Sequence, residues 1–576
     1  SVFIIEEQSN IDESIDDRLA NYMLLHSLAL CHRTMKNKAL VLPGIAVINL
    51  RGRQKLSTIR LMHEGHMIGE LHIHVLNLQD FSGTEDIEKS DLYCLTPFLS
   101  FLNENLIKSG TNTEDLLQFK IKISEMLDKA VEKRILTSRQ AEDLKILADV
   151  AKDALQGNHL PAKEGEKLPV YVFIHGGAFA SGSGTVATYE STNLAKQGIV
   201  AVTINYRLNT LGFLADKTGL KQYGTTGNWG LLDQIEALKW VQKNIAAFGG
   251  DPKRVTIGGE SAGSFSVSAM IASPLAKGLF QQAIMESGSI LNIPAVAPAS
   301  RGDLKLSMAN GTRYVEMMGG KDTPEGIDYL RKISADVLAA NSRFQVHGAT
   351  DVKPFCFWPV FDGKVMPKNP MAALKKGEWN PVRLMVGFNT NEGSMFVEPG
   401  STEADYQALM YNALGNKAPE IFNRYPVDAR HTPFDRCSDI YGAAIIKSGA
   451  VAFADMLSKK GESVYFYHFN YRDPNLPETS RLGVAHAAEL RYVFGNLGDN
   501  LSQYPAARRM SDKMVNVWAN FIKTGDPNGA AGIDGQVWEK YDPANRKAFR
   551  LSEKSGMEPM PDEALLLSLN EAMWGK

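Results

Sequence analysis

The chain has 576 residues, 44% apolar and 22% charged, with 62 Lys and Arg against 65 Asp and Glu. That length exceeds what one hydrophobic core usually supports, so one large domain with an appendage, or two domains, is expected. Balanced charge without a basic block or an interleaved aromatic stripe argues against a nucleic-acid partner, and the lack of a run of about 18 apolar residues argues against a membrane span.

In chain order, Ser1 to Asn10 carries acids where a secretory leader needs bases, and it lacks an apolar centre. The expectation leans towards the cytoplasm unless a leader has already been removed. From Asp12 to about Lys36, residues Ile15, Leu19, Tyr22, Met23 and Leu30 fall at helical spacing. Gly44 to Leu78 reads as extended. Ile45–Ile48 precedes the polar break Arg51–Gln54, a second strand runs to about Met62, and Leu71–Val75 alternates with period two after a turn at Glu64–His66. A three-stranded antiparallel meander is the simplest account. His63, His66, His72 and His74 cluster here, but the i,i+3 spacing of His63 and His66 is not the i,i+4 pairing of a helical zinc motif. Half-exposed strand histidines are commoner than ligands, and no metal or other cofactor is assigned.

Helical periodicity returns over Glu114 to about Arg134 and Ser138 to Leu155, with Thr137 and Gln140 as a capping box. This pair reads as a surface hairpin that either packs as scaffold or docks a partner protein. Gly157 to Lys167, polar with Gly and Pro, reads as a linker. The four cysteines, Cys31, Cys94, Cys356 and Cys437, lie far apart and in no metal-ligand spacing, which argues against a disulfide framework and leaves a single bridge open.

Beyond the linker the pattern changes. Leu168–Ile174 is an almost continuous apolar run, as for a parallel strand buried on both faces, and it ends at His175-Gly176-Gly177-Ala178-Phe179. Glycines after a central strand let backbone N–H groups turn into a cleft, where each donor to an oxyanion is worth about 3 kcal/mol. Val200–Ile204 leads into Asn205-Tyr206-Arg207-Leu208, and a helix opens at Asn228-Trp229-Gly230 and runs through Trp240 to Ile245. Alternating strand and helix predicts an α/β fold with a mostly parallel sheet. Val255–Ile257 then runs into Gly259-Glu260-Ser261-Ala262-Gly263, a G-x-S-x-G pattern between a strand and a small-residue helix. Such a turn lifts a serine hydroxyl above the sheet edge.

These blocks, together with Phe248-Gly249-Gly250-Asp251-Pro252, Ser287-Gly288-Ser289, Trp358-Pro359-Val360, Asp362-Gly363 and Thr524-Gly525-Asp526-Pro527-Asn528, occur in order. In this the chain resembles the type-B carboxylesterase family, the α/β-hydrolases that include cholinesterases and bacterial broad-range esterases. The resemblance runs from about Leu168 to the C-terminus. It implies an α/β-hydrolase domain over 166–576 behind an atypical α+β region over 1–165, and serine-dependent hydrolysis of small-molecule or lipid esters through an acyl-enzyme. A catalytically inactive adhesion or ligand-binding member of the same fold is the alternative.

The resemblance also assigns roles. A serine needs a base to take its proton and an acid behind that base, in the chain order Ser, acid, His. Ser261 matches the nucleophile, Glu392 in Asn389-Thr390-Asn391-Glu392-Gly393 the acid, and His486 in Gly483-Val484-Ala485-His486-Ala487-Ala488-Glu489-Leu490 the base. The N–H groups of Gly177, Ala178 and Ala262 match the oxyanion donors. Ser287 matches a serine that bonds the acid, Glu489 a supporting acid, and Glu260 a buried acid beside the nucleophile. Arg207 and Asp233 are expected to form a structural salt link. Phe179, Phe355, Phe357, Trp358 and Phe396 are candidates for the pocket wall or for plain core. The family's usual opening sheet and its Glu-Asp-Cys-Leu-Tyr-Leu-Asn strand are missing. The tryptophan of choline-binding members lies in that segment, so choline esters are disfavoured. Leu71–Val75 is a candidate edge strand for the main sheet in its place.

Overall fold

The computed structural model describes residues 167–340 and 355–575 throughout; in the front of the chain it describes three strands and the helical positions Glu125, Asp128, Lys129 and Glu132. The chain divides into two compact units, Ser1–Pro161 and Ala162–Lys576.

In the first unit, β2 (Ser57–His63) and β3 (His66–Asn77) form the expected antiparallel hairpin, with His63 opposite His66 and His72 opposite Thr58. The meander expectation fails at β1 (Ala46–Asn49), which pairs parallel to β3 with Ala46 opposite His74, giving the order β1-β3-β2. The cause is the length of β3. Its 12 residues outrun β2, and its last four take β1 on the other edge. With both edges of β3 used in this sheet, Leu71–Val75 does not serve as an edge strand of the main one. The helix expected over 12–36, the capping box at Thr137 and most of the linker lie outside the described residues.

The second unit is built on an eight-stranded sheet: β4 (Leu168–Ile174), β5 (Val200–Ile204), β6 (Gly250–Glu260), β7 (Gln282–Glu286), β8 (Arg383–Asn389), β9 (Val464–Phe469), β10 (Lys547–Leu551) and β11 (Gly556–Pro559). The spatial order is β11-β10-β9-β8-β7-β6-β4-β5, and every neighbouring pair except β10–β11 is parallel. Parallel strands with helices on both faces have no solvent side, which is why β4, β7, β8 and β9 read as apolar runs rather than alternating ones.

Successive side chains of a strand still point to opposite faces, and the two faces feed separate cores. Val170, Val172 and Ile174 of β4 pack on one side with α1 (Trp229–Asn244) and α2 (Ala262–Ala272). Also on that side is the C-terminal part of one long helix, which comprises α3 (Pro433–Gly442), a π turn (Ala443–Lys447) and α4 (Ser448–Lys459). Tyr171 and Phe173 pack on the other face with α5 (Pro505–Thr524), whose Met510, Met514, Val517 and Phe521 form a helical stripe. Each such side chain contributes about 1.5–3 kcal/mol through burial.

The helix Pro433–Lys459 qualifies as a membrane span by length and by a mean hydropathy of 1.4, although the sequence reading expected no span. Its apolar window is 89% buried within the unit, which marks it as a core helix. Among the described residues Cys356 and Cys437 are free thiols.

Candidate active site

Four strands deliver the site to the carboxyl edge of the sheet, where ligands of open α/β sheets bind. After β6 comes the serine turn. Ser261 has φ 56° and ψ −124°, and α2 starts at the next residue. A non-glycine residue held there carries strain of order 1–3 kcal/mol. The surroundings hold it in place: Ser261 N–H donates to Glu286 O at 2.9 Å, and a Cβ at Gly263 would stand 1.9 Å from Ile174 O. Only glycine lets the helix start this close to β4.

After β4, Gly177, Ala178 and Phe179 all have positive φ, at 107°, 54° and 57°. Gly177 O accepts the N–H groups of Ala180 and Ser181 at 3.0 Å, which closes the turn. The N–H groups of Gly177, Ala178 and Ala262 are not spent on other carbonyls among the described residues. His175 anchors the base of this loop, buried and stacked on Tyr206 at 4.5 Å.

After β8 the chain bends through Asn389 to Glu392, which is fully buried. Its Oε1 accepts the Ser287 hydroxyl and the Asn389 N–H, both at 2.6 Å, and its Oε2 lies 2.6 Å from His486 Nδ1. Burial pushes the Glu392 pKa up, but the attraction and hydrogen bond of His486, with the bonds from Ser287 and Asn389, outweigh it and hold the carboxyl below its ordinary value. The loop after β9 carries His486 and is laced to the acid loop. Asn391 N–H donates to Val484 O, and Val484 N–H donates to Asn391 Oδ1, each at 2.9 Å.

His486 sits between two carboxylates. Nε2 lies 3.0 Å from Glu260 Oε1, within ion-pair distance but not aligned for a hydrogen bond. Burial disfavours the imidazolium, but Glu260 and Glu392 prevail and raise the His486 pKa well above 6.5. The link from Nε2 to Ser261 is therefore open in this conformation, as apo sites often are.

Ser261, His486, Glu260, Gly177 and Ala178 face one cavity of about 650 Å³. Ala262 is buried beside the serine, and Glu392, Ser287 and Glu489 lie behind as a buried layer. Of the five aromatic candidates, Trp358 and Phe396 line this cavity. Phe179 is core, wedged on Phe213 and Trp358, and Phe355 and Phe357 pack on Tyr314. Arg207 and Asp233 make the expected salt link at 2.7 Å.

Two buried acids extend the layer. Glu489 accepts from Asn389 Nδ2, and burial beside Glu260, Glu286 and Glu392 raises its pKa well above the ordinary value. Glu286, which the sequence reading passed over, accepts from Trp518 Nε1 at 3.3 Å, and burial lifts its pKa to about 8. Its signal was a lone acid ending the apolar strand Gln282–Glu286.

A parallel sheet with a serine turn after β6, an acid loop after β8 and a histidine loop after β9 defines an α/β-hydrolase. The chain belongs to the carboxylesterase family, whose model matches residues 151–564, and is a carboxylic ester hydrolase. It is 34% identical over 418 residues to the para-nitrobenzyl esterase of Bacillus subtilis, covering 70% of this chain and 79% of that one. It is 31% identical over 431 residues to mouse (Mus musculus) cholinesterase, covering 69% and 68%. The crystal structure of a Geobacillus stearothermophilus carboxylesterase superimposes with a TM-score of 0.60 at 32% identity, covering 71% of this chain and 84% of that one. The match begins at 151, ahead of the first sequence block at Leu168.

Proposed function

We propose that this cavity hydrolyses carboxylic esters by two-step acyl transfer with Ser261 as nucleophile, His486 as general base and Glu392 as its acid. The imidazole turns about its bond to Glu392, bringing Nε2 from Glu260 to the Ser261 hydroxyl. Ser261 Oγ attacks the ester carbonyl as Nε2 takes its proton. The oxyanion accepts from the N–H groups of Gly177, Ala178 and Ala262, while Glu392 steadies the imidazolium. His486 returns the proton to the departing alcohol, and water repeats the cycle on the acyl-enzyme. The observation that carries this reading is the 2.6 Å contact between His486 Nδ1 and the buried Glu392, in the wall of the cavity that Ser261 enters on its strained turn.

The test is hydrolysis of para-nitrophenyl esters by the wild type and Ser261→Ala. The expected loss of kcat is on the order of 10⁴-fold or more. Wild-type protein should also take up one equivalent of an organophosphonate at Ser261, read by mass spectrometry. Hydrolysis that survives in the variant overturns the assignment.

A further inference from the structure

His468 is a second buried imidazole, on β9, and it does not line the catalytic cavity. Its Nδ1 lies 2.6 Å from Glu558 Oε1 of β11, and its Nε2 lies 2.9 Å from Thr390 Oγ1. A carboxylate, a ring and a hydroxyl are thus joined here as well. Two local features permit it. Glu558 stands opposite Ala548 on β10, and so short a side chain leaves the carboxylate room to reach past that strand to β9. Arg550, also on β10 and opposite His468, donates to Glu558 Oε2 at 3.3 Å, which leaves Oε1 for the ring. The Thr390 hydroxyl has one proton to give, and two acceptors stand near it, Phe469 O at 3.2 Å and Asn470 Oδ1 at 3.0 Å. Its oxygen is then left to accept from Nε2.

This chain of bonds ends on the loop that carries Glu392. Thr390 is the first residue past β8, and each of its polar atoms is tied. Its N–H donates to Phe469 O at 3.1 Å, and its carbonyl accepts Lys447 Nζ at 2.8 Å. Lys447, buried at the end of the π turn, stands 3.5 Å from Asp562 Oδ2. The arm through the hydroxyl and the arm through the carbonyl therefore lead to one short stretch, residues 558–562. The neighbours of Thr390 are fixed differently: Asn389 N–H donates to Glu392 itself, and Asn391 is laced to the histidine loop.

We propose that Thr390 is a positioning residue for Glu392, held by His468 and Glu558 through its hydroxyl and by Lys447 through its carbonyl. Residues 558–562 thereby set where the acid meets His486. The acid stands 2.6 Å from the ring it orients, and a misplacement of about 1 Å in such a constellation can cost about 100-fold in rate. Glu392 reaches the reaction only through His486, so a shift of its loop falls on kcat and not on substrate binding. This inference rests on the serine hydrolase reading above.

The test measures kcat and KM on para-nitrophenyl acetate for Thr390→Val, His468→Phe and the double variant. Each single change should lower kcat by about tenfold and leave KM within about twofold. The double variant should lose no more than either single one, because both changes remove the same bond. Thr390→Ser, which keeps the hydroxyl, should restore kcat to near the parent value. Unchanged kcat in both single variants, losses that multiply in the double variant, or a loss confined to KM or to the melting temperature overturns the positioning role and leaves the hydrolase reading intact. A parent that does not hydrolyse the ester overturns the hydrolase reading itself. Glu558→Gln, nearly isosteric and on the edge strand, should lower kcat in the same direction by less, and it carries the test if the other variants do not fold.

Discussion

In the mechanism proposed above, His486 is the residue on which rate and pH meet. As a base it must be neutral, yet Glu260 and Glu392 hold its pKa well above the ordinary imidazole value. The sign follows directly: the base becomes competent only as pH rises through that raised pKa, so the acidic limb of kcat/KM lies on the alkaline side of about 6.5. Glu260→Gln removes one of the two carboxylates and should move the limb to lower pH. A pH–rate profile of the variant with an unmoved limb would show that Glu260 does not set it. The sequence identified both acids, but not their division of the imidazole. In that mechanism Glu260 and Ser261, neighbours in the chain, compete for the same Nε2, and the approach of Glu260 to it exists only once β6 and the loop after β9 are brought together. Glu286 was hidden for a related reason. An acid at the end of an apolar strand reads as a strand boundary until Trp518, 232 residues away, is seen to donate to it.

At the scale of the element, the serine turn depends on a backbone approach. A methyl group at Gly263 would collide with Ile174 O at 1.9 Å, and neither backbone has room to retreat inside the sheet. Gly263→Ala should lower stability by about 3 kcal/mol, the upper end of the overpacking range. Thermal melting compared with a surface substitution such as Gly400→Ala, where a Cβ meets nothing within 4 Å, would measure it. An equal melting temperature for the two variants would contradict the packing argument. The strands and helices of this half were legible because parallel strands announce themselves as apolar runs and the Gly-rich blocks mark their ends. The π turn was not, since Ala443–Lys447 carries no proline, glycine or other breaker. Nor was the parallel placement of β1, because strand periodicity records which face a residue takes and not which neighbour it pairs with.

The unit Ala162–Lys576 contains a complete sheet, a core on each face and every residue of the candidate site. Expressed alone it should fold and hydrolyse para-nitrophenyl esters with kcat within a few-fold of the full chain. An insoluble or inactive product would make the first 161 residues part of the folding unit. The two-sided sheet has a further consequence. Because Val170, Val172 and Ile174 serve one core while Tyr171 and Phe173 serve the other, adding or deleting a single residue within β4 would exchange the two sets and turn His175 and the loop beyond it to the wrong side. Length changes are thus confined to the connections and to the stretch ahead of Leu168, where a lineage can rewrite its chain without shifting the register of the chemistry behind it.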